Sequence, residues 1–274
     1  MTIVTRTILI TGAAGNIGAK LTAHFKTTGA YELRLLDLKG GGEIVAADLG
    51  VYDPAWAKLF EGVDTVLHFA GDPRGKSTWA DVKRANIAGT QHVLRAAREA
   101  KLRRVVFAST NQVMLGHRFG TGPVTTDMPP APLSPYGISK LFGEEIGSAF
   151  HEETGIDFLA LRIGYFQRGE NLPGAHMEIG EWGQSMWLSN RDMNQAAERS
   201  IEAERIGFAV VNLVSNNVGM RWDVEHTRRV IGYVPLDTAV PVIDAKARAT
   251  DELSRSRRIV PGKWFDEHFT DVAG

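Results

Sequence analysis

Ile8-Leu9-Ile10-Thr11-Gly12-Ala13-Ala14-Gly15-Asn16-Ile17-Gly18 joins an apolar run to an amphipathic one through three glycines. It reads as a strand, a tight turn and a helix start. Glycines at 12, 15 and 18 let the chain turn sharply, let backbone approach a pyrophosphate, and let the helix pack close to the strand. The helix N-terminus, with Asn16 and Ile17 in its first turn, adds free N–H groups and a positive dipole end. The segment is therefore a candidate phosphate cradle. Such glycine patterns also occur as plain structural turns, so the neighbours decide. A second apolar run, Leu33 to Leu36, ends in Asp37, close to the ~20-residue spacing at which an acid accepts hydrogen bonds from adenosine ribose hydroxyls. A carboxylate there repels a 2′-phosphate, which favours NAD over NADP.

Around this turn the composition is that of an ordinary globular protein. The chain has 274 residues, 43% of them hydrophobic and 23% charged, enough for one large domain or two modest ones. Net charge is −1 with basic residues spread along the chain, which gives no electrostatic reason to expect nucleic acid or an anionic membrane as partner. A small ligand is expected instead. No apolar run approaches ~20 residues, and Met1 to Thr7 lacks a basic region followed by an apolar one, so the expected location is the cytoplasm. The absence of cysteine excludes disulfides, thiolate metal sites and cysteine nucleophiles together. The eight histidines form no His-x-x-x-His pair, and no metal site is expected.

Short apolar runs alternate with helical stretches. Thr7–Thr11, Leu33–Asp37, Ile44–Ala47, Thr65–Ala70, Arg104–Thr110 and Phe158–Ile163 read as strands. Asn16–Thr28, Pro54–Phe60, Ser77–Ala100 and Pro135–Glu153 read as helices. This is the pattern of an α/β fold, a doubly wound parallel sheet covered on both faces. From about Gly164 the rhythm loosens into a glycine-rich stretch carrying Met177, Trp182 and Trp187, whose bulk predicts packing as a substrate lid. A helix near Arg191–Glu204, a strand at Phe208–Leu213 and a helix around Asp223–Ile231 complete the chain. The expectation is one domain, 1–274, with a small C-terminal substrate lobe built mainly from 164–274.

Tyr136-Gly137-Ile138-Ser139-Lys140 puts a phenol and an ammonium four residues apart on one helical face. A tyrosine of ordinary pKa ~10 is a poor base at neutral pH, but an adjacent lysine and an oxidised nicotinamide both favour the phenolate. The same spacing also occurs on ordinary exposed helices. Here the strand ending in Ser109-Thr110 delivers hydroxyls to the carboxyl end of a sheet, where open α/β folds bind ligands.

With these residues assembled, the sequence resembles the extended short-chain dehydrogenase/reductases. The resemblance rests on Thr11-Gly12-x-x-Gly15-x-x-Gly18, Asp37, Asp48-Leu49, His68-x-Ala70-Gly71, Asn86-x-x-Gly89-Thr90, Ser109-Thr110 and Tyr136-x-x-x-Lys140, in the family's order over the first two thirds of the chain. It implies a Rossmann-type fold, bound NAD, Tyr136 as general base, Lys140 on the nicotinamide ribose, and a hydroxyl residue that orients the substrate. The strand-end position assigns that role to Thr110 ahead of Ser109. The resemblance further puts Asp48 and Leu49 beside adenine, Ala70 and Gly71 near the phosphates and ribose, and Phe69, Asn86, Ser109 and Ile163 on the cofactor.

Within that family the chain is most similar to the uronate dehydrogenases, which oxidise the anomeric carbon of galacturonate or glucuronate. Shared stretches are Phe107-Ala108-Ser109-Thr110-Asn111, Tyr136-Gly137-Ile138-Ser139-Lys140-x-Phe142-Gly143-Glu144, Arg162-Ile163-Gly164, Trp187-Leu188-Ser189 and Trp222-Asp223. Departures fall where the sugar is expected: Pro73, Gln112 and Tyr165 replace a serine, a histidine and a serine, and no arginine precedes Trp187-Leu188-Ser189 in the matching place. The expected substrate contacts are therefore Pro73, Thr110, Asn111, Gln112, Tyr136, Tyr165, Arg168 and Trp182. Arg74, Lys76, Arg118 and Arg168 are cations near predicted strand ends or in the lid, where an anionic sugar needs a partner.

The resulting expectation is an NAD-dependent oxidoreductase acting on a hydroxyl of a sugar or sugar acid, uronate dehydrogenase-like but with an altered pocket. A nucleotide-sugar epimerase or dehydratase with tightly held NAD is the first alternative, and a catalytically silent NAD-binding sensor the second. The long helices Ser77–Ala100 and Pro135–Glu153 resemble those that pair in homodimers of this family, so a homo-oligomer is expected.

Overall fold

The computed structural model describes residues 5–75 and 77–256. Seven strands form one sheet: β1 Thr7–Thr11, β2 Glu32–Asp37, β3 Ile44–Ala46, β4 Thr65–His68, β5 Arg104–Thr110, β6 Asp157–Ile163 and β7 Phe208–Leu213. Their order is β3-β2-β1-β4-β5-β6-β7, and every pairing is parallel. The chain runs outward from β1 to β3, then returns to lay β4 on the other side of β1. That reversal opens a crevice at the carboxyl ends of β1 and β4, the place where open α/β sheets take ligands. β4 and β5 are buried along their whole length, as central strands covered on both faces must be.

Helices fill both faces. α1 (Asn16–Thr28) follows the glycine turn and stops at Gly29, which takes the left-handed conformation. α2 (Pro54–Ala57) continues into a 3₁₀ turn, Lys58–Phe60. The helix expected over Ser77–Ala100 is broken into α3 (Trp79–Val82), a π turn (Lys83–Ala88) and α4 (Gly89–Glu99). Its start is set by a reciprocal cap: the Thr78 hydroxyl accepts from the Asp81 amide, and the Asp81 carboxylate accepts from the Thr78 amide. α5 (Pro135–Thr154) begins behind the Ser134 cap with Pro135 in its first turn.

Beyond β6 the lid region is more ordered than its glycines imply. It contains α6 (Gly180–Ser185), and its middle is clamped by Asn171, which donates to the Leu188 carbonyl at 2.8 Å while its own carbonyl accepts from the Trp187 indole at 3.0 Å. α7 (Asn190–Glu202) and α8 (Glu225–Ile231) lie near their expected places. α8 starts after Asp223, whose carboxylate accepts from the Glu225 amide at 2.9 Å. α9 (Ala245–Ser256) packs on α6 and was not anticipated.

Two large core clusters join the strands to their helices. A third joins Val113, Met114 and Leu115, from a 3₁₀ turn over Asn111–Phe119, to Val124, Trp182, Met186, Val214 and Trp222. This cluster ties the lid to the segments after β5 and β7. Among the described residues, no helix is long and apolar enough to cross a membrane.

Candidate active site

A cleft of about 1190 Å³ runs along the carboxyl ends of the strands, from Asp37 and Leu38 at one end to Tyr165 and Arg168 at the other. Gly12 turns the chain at φ +74°, and a Cβ on it would sit 2.6 Å from the Ala70 nitrogen. A Cβ on Gly18 would lie 2.1 Å from the Gly12 carbonyl oxygen. Only glycine lets α1 approach β1 this closely, which leaves the helix N-terminus facing the cleft beside Gly15, Asn16 and Ile17.

Next to that turn, Asp37 at the end of β2 accepts from the Ala14 amide at 3.0 Å and from the Lys39 amide at 3.2 Å. Its carboxylate is thereby fixed on the cleft wall. Asp48 and Leu49 line the same end; Asp48 is paired with Arg84, which holds its carboxyl below the ordinary range. Phe69, Ala70, Gly71, Ser109 and Ile163 line the middle. A three-glycine helix start, an acid at the end of the second strand and apolar walls are the donor set that an adenine dinucleotide requires, and these residues fit one.

At the inner end, Thr110 closes β5 and caps the following turn, accepting from the Gln112 amide at 3.2 Å. Its hydroxyl acts on the phenol of Tyr136, which lines the same end of the cleft and is 8% exposed. Burial pushes the phenol up to about 12, with the Asp72 charge acting in the same direction and the Thr110 hydroxyl opposing both. Lys140, one turn further along α5, is also buried, and desolvation brings its ammonium down to about 8. The Ser109 hydroxyl is already engaged, donating to Glu144 Oε1 at 2.5 Å.

Pro73, Asn111, Gln112, Tyr165 and Arg168 line the cleft beyond Tyr136. Asn111 is 2% exposed, yet neither its carboxamide nitrogen nor its oxygen has a partner among the described residues. Such a group costs about 1–3 kcal/mol unless something in the cleft satisfies it. Arg168 is exposed and, among the described residues, has no acidic partner. Arg74 differs, being paired with Asp72 and, at 3.3 Å, with Asp81.

Some expected residues sit elsewhere. Trp182 does not line the cleft; its ring packs 4.4 Å from that of Trp222 in the third core cluster. Its size and apolarity are used for lid packing, so it is corrected from a substrate contact to a core residue. Asn86 also lies behind the wall, accepting from the Asp72 amide at 2.7 Å and donating to the Asp72 carbonyl and the Ser139 hydroxyl. It holds the loop after β4. Arg118 stacks on Phe119 outside the cleft, and Lys76 lies outside the described residues. Asp72, Ser134, Glu178, Ile179 and Met186 line the cleft without having been anticipated. Helical periodicity is uninformative for loop residues, and only Ser134, directly before Pro135, carried a local signal as a helix cap.

Known proteins share this arrangement. Residues 8–166 match the family described as the NAD dependent epimerase/dehydratase family. L-arabinose 1-dehydrogenase (NAD(P)(+)) of Haloferax volcanii is 34% identical over 257 residues, covering 86% of this chain and 99% of that enzyme. NAD-dependent glucose-6-phosphate dehydrogenase of the same organism is 32% identical over 257 residues, 85% of this chain and 94% of that enzyme. The crystal structure of glucuronic acid dehydrogenase from Chromohalobacter salexigens superposes with a TM-score of 0.74 at 30% identity, covering 94% of this chain and 92% of that one. With its glycine turn, its strand order and its Tyr136-x-x-x-Lys140 helix in place, this chain belongs to the NAD dependent epimerase/dehydratase family.

Proposed function

We propose that the protein is an NAD-dependent dehydrogenase that oxidises a hydroxyl, at the anomeric carbon, of a sugar or sugar acid. The observation that carries this reading is the meeting of Thr110, Tyr136 and Lys140, the last two one turn apart on α5, at the inner end of a cleft that begins at the glycine turn. NAD, when bound, supplies the hydride acceptor and a positive ring. Thr110 holds the reacting oxygen, and Tyr136, as the phenolate, takes the hydroxyl proton. Lys140 stabilises that phenolate and binds the cofactor ribose.

The sugar reading is supported by the polar wall past Tyr136. The unpartnered carboxamide of Asn111 offers both a donor and an acceptor, as vicinal hydroxyls require. The three relatives act on a neutral pentose, a sugar phosphate and a sugar acid by their names, all of them aldoses. Arg168, on the longer loop, is the cation we assign to an anionic group if the sugar carries one. The substituted positions Pro73, Gln112 and Tyr165 favour a sugar other than galacturonate or glucuronate.

The same reading makes the chain one domain with its substrate lobe from 164–274, supported by the third core cluster, and a cytoplasmic homo-oligomer, for which the 20-residue α5 offers a pairing helix. The test is formation of NADH from NAD with a panel of neutral aldoses, aldose phosphates, uronates and nucleotide sugars. Turnover of a nucleotide sugar without net NADH would instead make the protein an epimerase.

A further inference from the structure

Glu144 lies on α5 two turns beyond Tyr136 and one beyond Lys140, on the same face, and is 3% exposed. Its carboxylate takes a two-pronged bond from Arg162 of β6, at 3.0 Å from Nε and 2.8 Å from Nη2, and Arg162 is 3% exposed as well. The Ser109 hydroxyl donates to the same carboxylate at 2.5 Å, and the third arm of Arg162 reaches the Met114 sulfur at 3.2 Å. Four elements therefore meet on one buried pair: α5, β5, β6 and the turn that carries Asn111 and Gln112.

A buried ion pair is an inefficient way to gain stability, because desolvating both charges cancels most of their attraction; apolar residues of the same volume serve as well. Directionality is what the pair adds. Apolar contacts let a helix slide on a sheet, whereas a forked guanidinium–carboxylate bond fixes both distance and rotation. The site needs that constraint, since Tyr136 comes from α5 and its partner Thr110 follows Ser109 directly in β5. A displacement of ~1 Å between reacting groups can cost about 10²-fold in rate.

We infer that Ser109, Glu144 and Arg162 are positioning residues: their buried network sets the distance between the Tyr136 phenol and the Thr110 hydroxyl, and with it the rate of proton transfer. The inference rests on the proposed roles of Tyr136 and Thr110. The charged group that also bears on the phenol is Asp72 from the loop after β4; neither it nor Lys140, one turn along α5, touches the network through any described hydrogen bond.

The test uses Ser109→Ala, which keeps the ion pair, and Glu144→Gln, which keeps the shape, both in the full chain. With the best sugar of the panel, kcat should fall about 10-fold in S109A and about 10²-fold in E144Q, while in E144Q, whose carboxylate does not line the cleft, KM and the NADH dissociation constant stay within about twofold. A second reading needs no substrate: the ultraviolet titration of the Tyr136 phenol, taken as the difference from Tyr136→Phe, should move to higher pH in both variants as the Thr110 hydroxyl shifts away from it. If E144Q fails to fold, S109A decides alone. Parental kcat and an unmoved phenol titration in folded variants would overturn the inference. A fully active Y136F would instead overturn the proposed chemistry, so the two failures are distinguishable.

Discussion

Thr110 and Tyr136 line the inner end of one cleft, and the Thr110 hydroxyl draws the phenol's pKa down against burial and the Asp72 charge. Sugar oxidation consumes the phenolate form, so kcat/KM should rise with pH along a limb of slope one. Thr110→Ala removes the stabilising hydroxyl and should move that limb to higher pH while lowering kcat about 10²-fold. A pH profile of parent and variant checks both effects; a limb that stays in place would assign the proton to another base.

Asp37 is fixed by the amides of Ala14 and Lys39 at the end of the cleft beside the glycine turn, where the proposed reading puts adenosine. NAD should therefore be used more efficiently than NADP, and Asp37→Ala should erode that preference by about tenfold or more, roughly the ~1.4 kcal/mol of one repelled charge. Steady-state kinetics with both cofactors measure it. Equal efficiency in the parent would remove the argument.

His68 accepts or donates between the hydroxyls of Thr11 and Thr90, fully buried, and desolvation with the Lys140 charge brings its pKa down to about 3. The unfolded chain binds a proton on this histidine below about 6.5, while the folded one does not until near 3. Stability should thus decline as pH falls through that window, by up to about 1.4 kcal/mol per unit from this group. His68→Asn should flatten the dependence in thermal or urea unfolding. An unchanged slope would mean that His68 is charged in the folded protein.

Arg168 lines the end of the cleft beyond Tyr136, with no acidic partner among the described residues. If the substrate is anionic, Arg168→Gln should raise its KM about 10-fold or more, in line with a lost charged hydrogen bond of ~1.5–3 kcal/mol, and leave neutral aldoses unaffected. Equal KM for the anionic sugar in parent and variant would transfer that role to another residue.

Which of these features the sequence exposes follows from their range along the chain. Strand ends and the glycine turn are local patterns, and β1, β5 and β7 begin and end where alternation and composition put them. The Tyr136-x-x-x-Lys140 face is likewise local. The packing of Trp182 is not legible locally, because its partner, Trp222, is distant in sequence and the pairing depends on how the segment after β6 folds back. Asn86 keeps its motif but acts behind the wall, since the π turn aims it at the Asp72 backbone. Glu144 was legible in part: continuing the Tyr136, Lys140 periodicity by one turn finds it, but its partners Ser109 and Arg162 come from two other strands.

The central claim is that Tyr136 removes a sugar hydroxyl proton as NAD is reduced. Its most direct measurement is NADH formation by purified parent and Tyr136→Phe proteins across the sugar panel, with NADH binding measured alongside. The account expects saturable NADH formation with at least one aldose, its loss by more than about 10²-fold in Y136F, and unchanged NADH binding. Y136F activity within about tenfold of the parent, less than ~1.4 kcal/mol of barrier, or no NADH from any sugar in the parent, would contradict it.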